Sequence, residues 1–188
     1  MDGKAIVQSV IQEIVQPGVR RLMESRYFSE LREGKLSIKR LQGWAIQHYL
    51  HNQAILRAFA LGMVKNAHDP EMFGYFTYQF NEEQSHPDLA KRFGLALGLK
   101  EEDFSEATQI FECQIHSART IYNTIMGIPP QNRASALTSE SMVCRYSEDS
   151  TPICARITEW AMPRWNSSPY TWPRTKSIRH SPLSSSPA

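Results

Sequence analysis

Residues 37–67, SIKRLQGWAIQHYLHNQAILRAFALGMVKNA, decide the fold. Leu41, Trp44, His48, His51, Ile55, Ala58 and Gly62 recur three and four apart, the spacing of a bundle helix that keeps one seam against its neighbours. The run is too long and too evenly periodic for a strand, and Ser37 stands where a hydroxyl caps a first turn. His48 and His51 are expected to face inward beside Trp44. They read either as core histidines hydrogen-bonded across the bundle or as the wall of a substrate pocket.

The flanking segments follow the same period, with breakers between them. Ile6, Val7, Val10, Ile11, Ile14 and Val15 form a stripe expected to stop near Pro17 and Gly18, and Val19 to Arg32 forms a second segment ending at Gly34. Beyond His68, Asp69 and Pro70 comes a helix through Phe73, Phe76 and Phe80, which Pro87 ends or kinks. Leu89, Phe93, Leu95, Ala96 and Leu97 mark the next, closed by Gly98. Glu101 to Met126 reads as one helix, and Gly127, Pro129 and Pro130 turn the chain into a last one from about Asn132. With no strand, hairpin or repeat signal, the fold class is all-α, a bundle of about six or seven helices.

Composition divides the 188 residues near position 144. Residues 144–188 hold six of eleven prolines, nine serines and three of four tryptophans, and carry +3, which leaves −1 for residues 1–143. The expected organisation is therefore a helical domain, 1–143, and a Pro/Ser-rich, poorly ordered tail, 144–188, whose prolines limit any helix to about two turns. The net charge of +2 does not support a nucleic-acid binder. The longest apolar stretch, Ala54 to Val64, is interrupted by Arg57 and is too short to span a membrane. The N-terminus lacks a secretory pattern, and Cys113, Cys144 and Cys154 form neither a disulfide framework nor a CxxC pair, so a cytoplasmic protein is expected.

The run Asn81, Glu82, Glu83, Gln84, Ser85, His86, Pro87 carries the chemistry. Glu83 and His86 stand three apart on one helical face, where a carboxylate and an imidazole can reach one cation. Glu83 continues the apolar stripe of Met72, Phe73, Phe76 and Phe80, and an unpaired carboxylate aimed at a core is costly. Glu140 raises the same question amid Ala136, Leu137, Val143 and Cys144. Glu112 and His116 share a polar face and read as a solvated pair, and nothing in the sequence places a base beside Cys113 or Cys144. Phosphate-cradling loops, HExxH and nucleophile elbows do not occur.

Several stretches together resemble a known family. Tyr27, Phe28, Leu31, Gly34, Leu36, Ser37, Leu41, Gln47 and Tyr49, then Asn81 to Leu89 with Phe93 and Leu97-Gly98-Leu99, are similar to the haem-oxygenase-like di-iron oxidase superfamily, the group of the TenA and PqqC-like proteins. The resemblance implies a bundle whose centre binds two non-haem irons and uses dioxygen on a small organic substrate. Carried over, Glu83, His86 and Glu140 are the metal ligands, with Trp44, His48 and His51 as pocket wall or supporting shell. The family's later ligand helix falls in the Pro/Ser tail, where His180 alone remains, so an impaired oxidase or oxygenase is the leading expectation. A metal-free helical binding protein or pseudoenzyme is the alternative, and a TenA-like thiamin-pyrimidine hydrolase using Cys144 ranks lower. Such ligands also accept manganese. Loss of one bundle helix would expose an apolar groove for self-association or for Trp160, Trp165 and Trp172, hence an expected homodimer.

Overall fold

A computed structural model describes the backbone of residues 3–161 and the side chains of residues 3–144, 146 and 147. Its helices are α1 (Gly3–Val10), α2 (Gln16–Met23), α3 (Arg26–Arg32), α4 (Ile38–Lys65), α5 (Pro70–Glu83), α6 (His86–Ala96), α7 (Glu101–Ser105), α8 (Phe111–Met126) and α9 (Pro129–Ala161). A π-helical segment, Ile11–Val15, joins α1 to α2 into one rod. Counting that rod once and setting aside the single turn of α7, the described residues form the all-α, seven-helix architecture that the periodicity predicts.

Local chemistry sets most of the boundaries. Ser37 Oγ accepts from the Arg40 amide at 3.4 Å at the start of α4, and Asp69 Oδ1 accepts from the amides of Glu71 and Met72, both at 3.1 Å, at the start of α5. Gly34 and Gly98 follow α3 and α6 with φ of +67° and +92°, the left-handed conformation that closes a helix at little cost only in glycine. Pro87 falls in the first turn of α6, where its missing N–H is no loss.

Four boundaries differ from expectation, one being the expected Val19 to Arg32 segment, which breaks between the end of α2 at Met23 and the start of α3 at Arg26. Pro17 does not stop the first rod, because the Gln16 amide reaches back five residues to the Ile11 carbonyl and this wider turn makes room for the proline ring. The expected helix from Glu101 to Met126 is two, α7 and α8. Gln47 holds the break: its amide Nε2 donates to the Thr108 carbonyl at 3.1 Å, and its Oε1 accepts from the Ile110 amide at 2.9 Å. The last helix, expected to give way to tail at 144, continues to Ala161 through Pro152. Pro152 is the one tail proline inside it, and the other five, from 163 onward, lie beyond Ala161. The tail from 162 on, including Trp165, Trp172 and His180, lies outside the described residues, as does the Trp160 side chain.

α4 is the axle, with α5, α6 and α8 packed along it and α9 lying against α2 and α3. Because it is covered on more than one side, its buried residues are Leu41, Ala45, Asn52, Ala54, Ala58 and Gly62 rather than one narrow seam. Trp44, expected inside, is 42% exposed. A leucine cluster of Leu31, Leu36, Leu41 and Leu97, with Tyr27, Phe28 and Phe93 against it, closes one end.

Two glycines permit close helix–helix approaches. A Cβ on Gly62 would lie 2.7 Å from the Phe76 ring, and one on Gly94 would lie 2.6 Å from Phe104 and 3.1 Å from the Ala45 methyl. Gly94→Ala is therefore expected to cost about 1–3 kcal/mol. Gly43→Ala, on the open face of α4 with nothing within 4 Å, should instead gain up to about 1 kcal/mol. Urea unfolding of both variants checks the pair, and equal effects would contradict this packing.

Candidate active site

α5 ends at Glu83 and, after the two linking residues Gln84 and Ser85, α6 begins at His86, and this tight joint turns both side chains toward each other. His86 Nδ1 and Glu83 Oε2 are hydrogen-bond partners. That bond occupies one ring nitrogen and leaves Nε2 as the functional one. The Glu83 carboxylate raises the pKa of His86, against the opposing effect of partial burial, and Glu140 adds a smaller favourable field.

Glu140, half-buried on α9, is pushed the other way from an ordinary surface carboxylate. Burial raises its pKa, the Glu83 charge raises it further, and His86 partly offsets both. The same carboxyl lifts the pKa values of Tyr75 and Tyr146, each already raised mainly by burial. The structure thus brings Glu83, His86 and Glu140 into one electrostatic neighbourhood, with two phenols that keep their protons beside them. Neither tyrosine was singled out by sequence, because single phenols on amphipathic helices carry no spacing signal.

His48 reaches this neighbourhood from α4. Burial, with the nearby His86 charge, pushes its pKa down to about 4, while Glu83 acts weakly in the opposite sense. It is neutral at pH 7. Its ring stacks on Trp44 with centroids 4.5 Å apart, and Trp44 meets Phe93 edge-on at 5.7 Å. Trp44 therefore shields His48 from the outside.

His51 points elsewhere. Its Nδ1 pairs with Ser117 Oγ on α8 at 2.9 Å, and its ring stacks on His116 at 4.3 Å. Burial, then His116 and His48, lowers its pKa to about 4, and burial lowers that of His116 as well. Glu112 and His116 are both exposed on α8, as the solvated-face reading expects, and His116 in addition stacks on His51 across the helix interface, a contact invisible to spacing along α8. Ser117 Oγ also accepts from Gln109 Nε2 at 2.8 Å. Cys113 bonds to the Gln47 carbonyl and has its thiol pKa raised by burial, which leaves it a poor nucleophile, and Cys144 is exposed.

The described donors alone do not fit the two irons that the resemblance implies. Among the described residues, no three His, Cys, Asp or Glu side chains converge well enough to hold an ion, and Glu83 and His86 direct donor atoms at each other. Two clefts, of about 460 and 440 Å³, lie away from these residues, along α8 around Tyr122 and Met126, toward the end of α4 where Lys65 donates to the Thr124 and Gly127 carbonyls. No described helix is long and apolar enough to cross a membrane.

Residues 26–160 match the TENA/THI-4/PQQC family. The chain belongs to that family. The match includes α9 almost to its end, so the helical run past residue 144 falls within the family's extent. No curated protein and no solved structure matches the chain.

His48, His51 and His116 make acid sensitivity a property of the folded state. Their folded pKa values lie below the ordinary 6.5, so below that pH the unfolded chain takes up protons that the folded chain does not. The stability they contribute is full above pH 6.5 and is lost as pH falls toward about 4. His86 has the opposite sign, contributing below 6.5 and losing its effect as pH rises through its raised value. Melting temperatures at pH 7 and pH 5 should fall less in a His48→Gln/His51→Gln variant than in the parent, and an equal fall would contradict these environments.

Proposed function

We propose that this member of the TENA/THI-4/PQQC family carries out acid–base chemistry, hydrolytic in type, on a small organic substrate held between α4, α5, α6 and α9. The observation that carries the reading is the Glu83–His86 bond at the α5–α6 joint. A carboxylate on Nδ1 fixes the imidazole's orientation and stabilises its protonated form, which prepares Nε2 to accept a proton from water. Water then forms the new bond to the substrate carbon. Glu140, whose pKa is raised by burial and by the Glu83 charge, gives a proton from its carboxylic-acid form to the departing group as the old bond breaks. His48, neutral at pH 7, can orient either partner without adding charge.

Iron-dependent oxidation is the second reading, favoured by one feature. A histidine whose Nδ1 is held by a carboxylate is also the arrangement that orients a metal-binding imidazole. The described donors supply too few ligands for two irons.

Turnover of a thiamin-type pyrimidine panel, run beside an anaerobic Fe(II) titration with metal analysis after desalting, separates the two. The acid–base reading expects hydrolysis without added iron, reduced about 10²–10⁴-fold in kcat by His86→Ala and by Glu140→Gln. About two irons retained per chain, and lost in Glu140→Ala, would replace it with the oxidase. No turnover and no iron would leave a binding protein.

A further inference from the structure

One buried group is not used by this chemistry. Asn52 is 5% exposed, and its Nδ2 has no hydrogen-bond partner. A buried amide without an acceptor is destabilising, and natural cores rarely keep one without a purpose. Apolar residues of similar size would fill the place at no such cost.

The position of Asn52 on α4 says what it faces. It lies two helical turns beyond Ala45, which meets Gly94 of α6, and almost three turns before Gly62, which meets Phe76 of α5. It thus shares the α5- and α6-facing side of α4 with His48, one turn earlier. Along α5 the register runs the opposite way: Phe76 packs against Phe59 and Gly62, Thr77 bonds to Met63, and Glu83 acts on His48. By this register Asn52 sits between those levels, on the side of α4 that faces α5 and α6, one turn beyond the His48 that meets Glu83 and His86.

We propose that Asn52 is a ligand-anchoring residue, whose Nδ2 donates to an uncharged acceptor, a ring nitrogen or a carbonyl oxygen, on the small molecule bound at this centre. The acceptor is uncharged because the Glu83 carboxylate lies near the same interior and disfavours a second anion. The inference rests on the proposed small-molecule site, and deepens it by naming the chemistry of the ligand's buried edge.

Asn52→Leu tests it through two readouts that a structural role would move together and a ligand role moves apart. Without ligand, removing the unmatched amide should raise Tm by roughly 2–4 °C. Binding is read with a matched pair of probes, 6-hydroxyquinoline, which presents a ring nitrogen, and 2-naphthol, which lacks it. The parent should bind the quinoline about tenfold more tightly than the naphthol, and Asn52→Leu should bind both alike. Asn52→Ala, which only truncates the side chain, should lose the same discrimination. A lower Tm in Asn52→Leu, equal binding of the two probes to the parent, or no binding of the quinoline by the parent would overturn the proposal. His86→Ala should keep the discrimination, so failure of the hydrolytic reading and failure of this one give different results.

Discussion

The close approach of α5 and α6 to α4 is the constraint on which the rest of the structure depends. Gly62 lets the Phe76 ring lie against the α4 backbone, and Gly94 lets Ala45 and Phe104 meet over α6. With those contacts fixed, the two-residue joint between Glu83 and His86 has little choice of position. It falls opposite His48, and α9 brings Glu140 to the same place. Apolar packing is therefore what positions the polar centre, since an ion pair with partly exposed partners adds little stability of its own.

The centre divides proton-bearing roles by environment. Glu83 holds His86 through their hydrogen bond, whereas Glu140, half-buried with Glu83 nearby, has its pKa raised toward the neutral form. His48 and His51 are adjacent turns of one helix, yet serve different interfaces: His48 meets the site, and His51 binds Ser117 and stacks on His116 at the α8 interface. A helix packed on several sides can carry two such histidines without their forming one cluster.

The sequence made the helices legible because capping and breaking are local. Ser37, Asp69, Gly34, Pro87 and Gly98 act within one or two turns, and each marks a real boundary. Expectation failed where a distant partner decides. Gln47 splits α7 from α8 by taking over backbone groups about sixty residues away, and the π segment before Pro17 depends on a rearranged backbone that periodicity does not reveal. Pooling Pro152 with the prolines after Ala161 hid the second half of α9. At the site, Glu83, His86 and Glu140 were readable as carboxylates and an imidazole on apolar faces. Tyr75, Tyr146 and Asn52 were not, and Ala45 and Asn52, buried on α4, fall outside the seam that the spacing defines.

The most direct test of the account is the protonation pattern of His86 by ¹⁵N-detected NMR of the histidine rings, in the parent and in Glu83→Gln. The account predicts a proton held on Nδ1 of His86 at neutral pH, lost as a fixed feature in Glu83→Gln, beside a His48 ring that stays neutral down to about pH 4. A His86 ring protonated on Nε2 and unaffected by Glu83→Gln would contradict it.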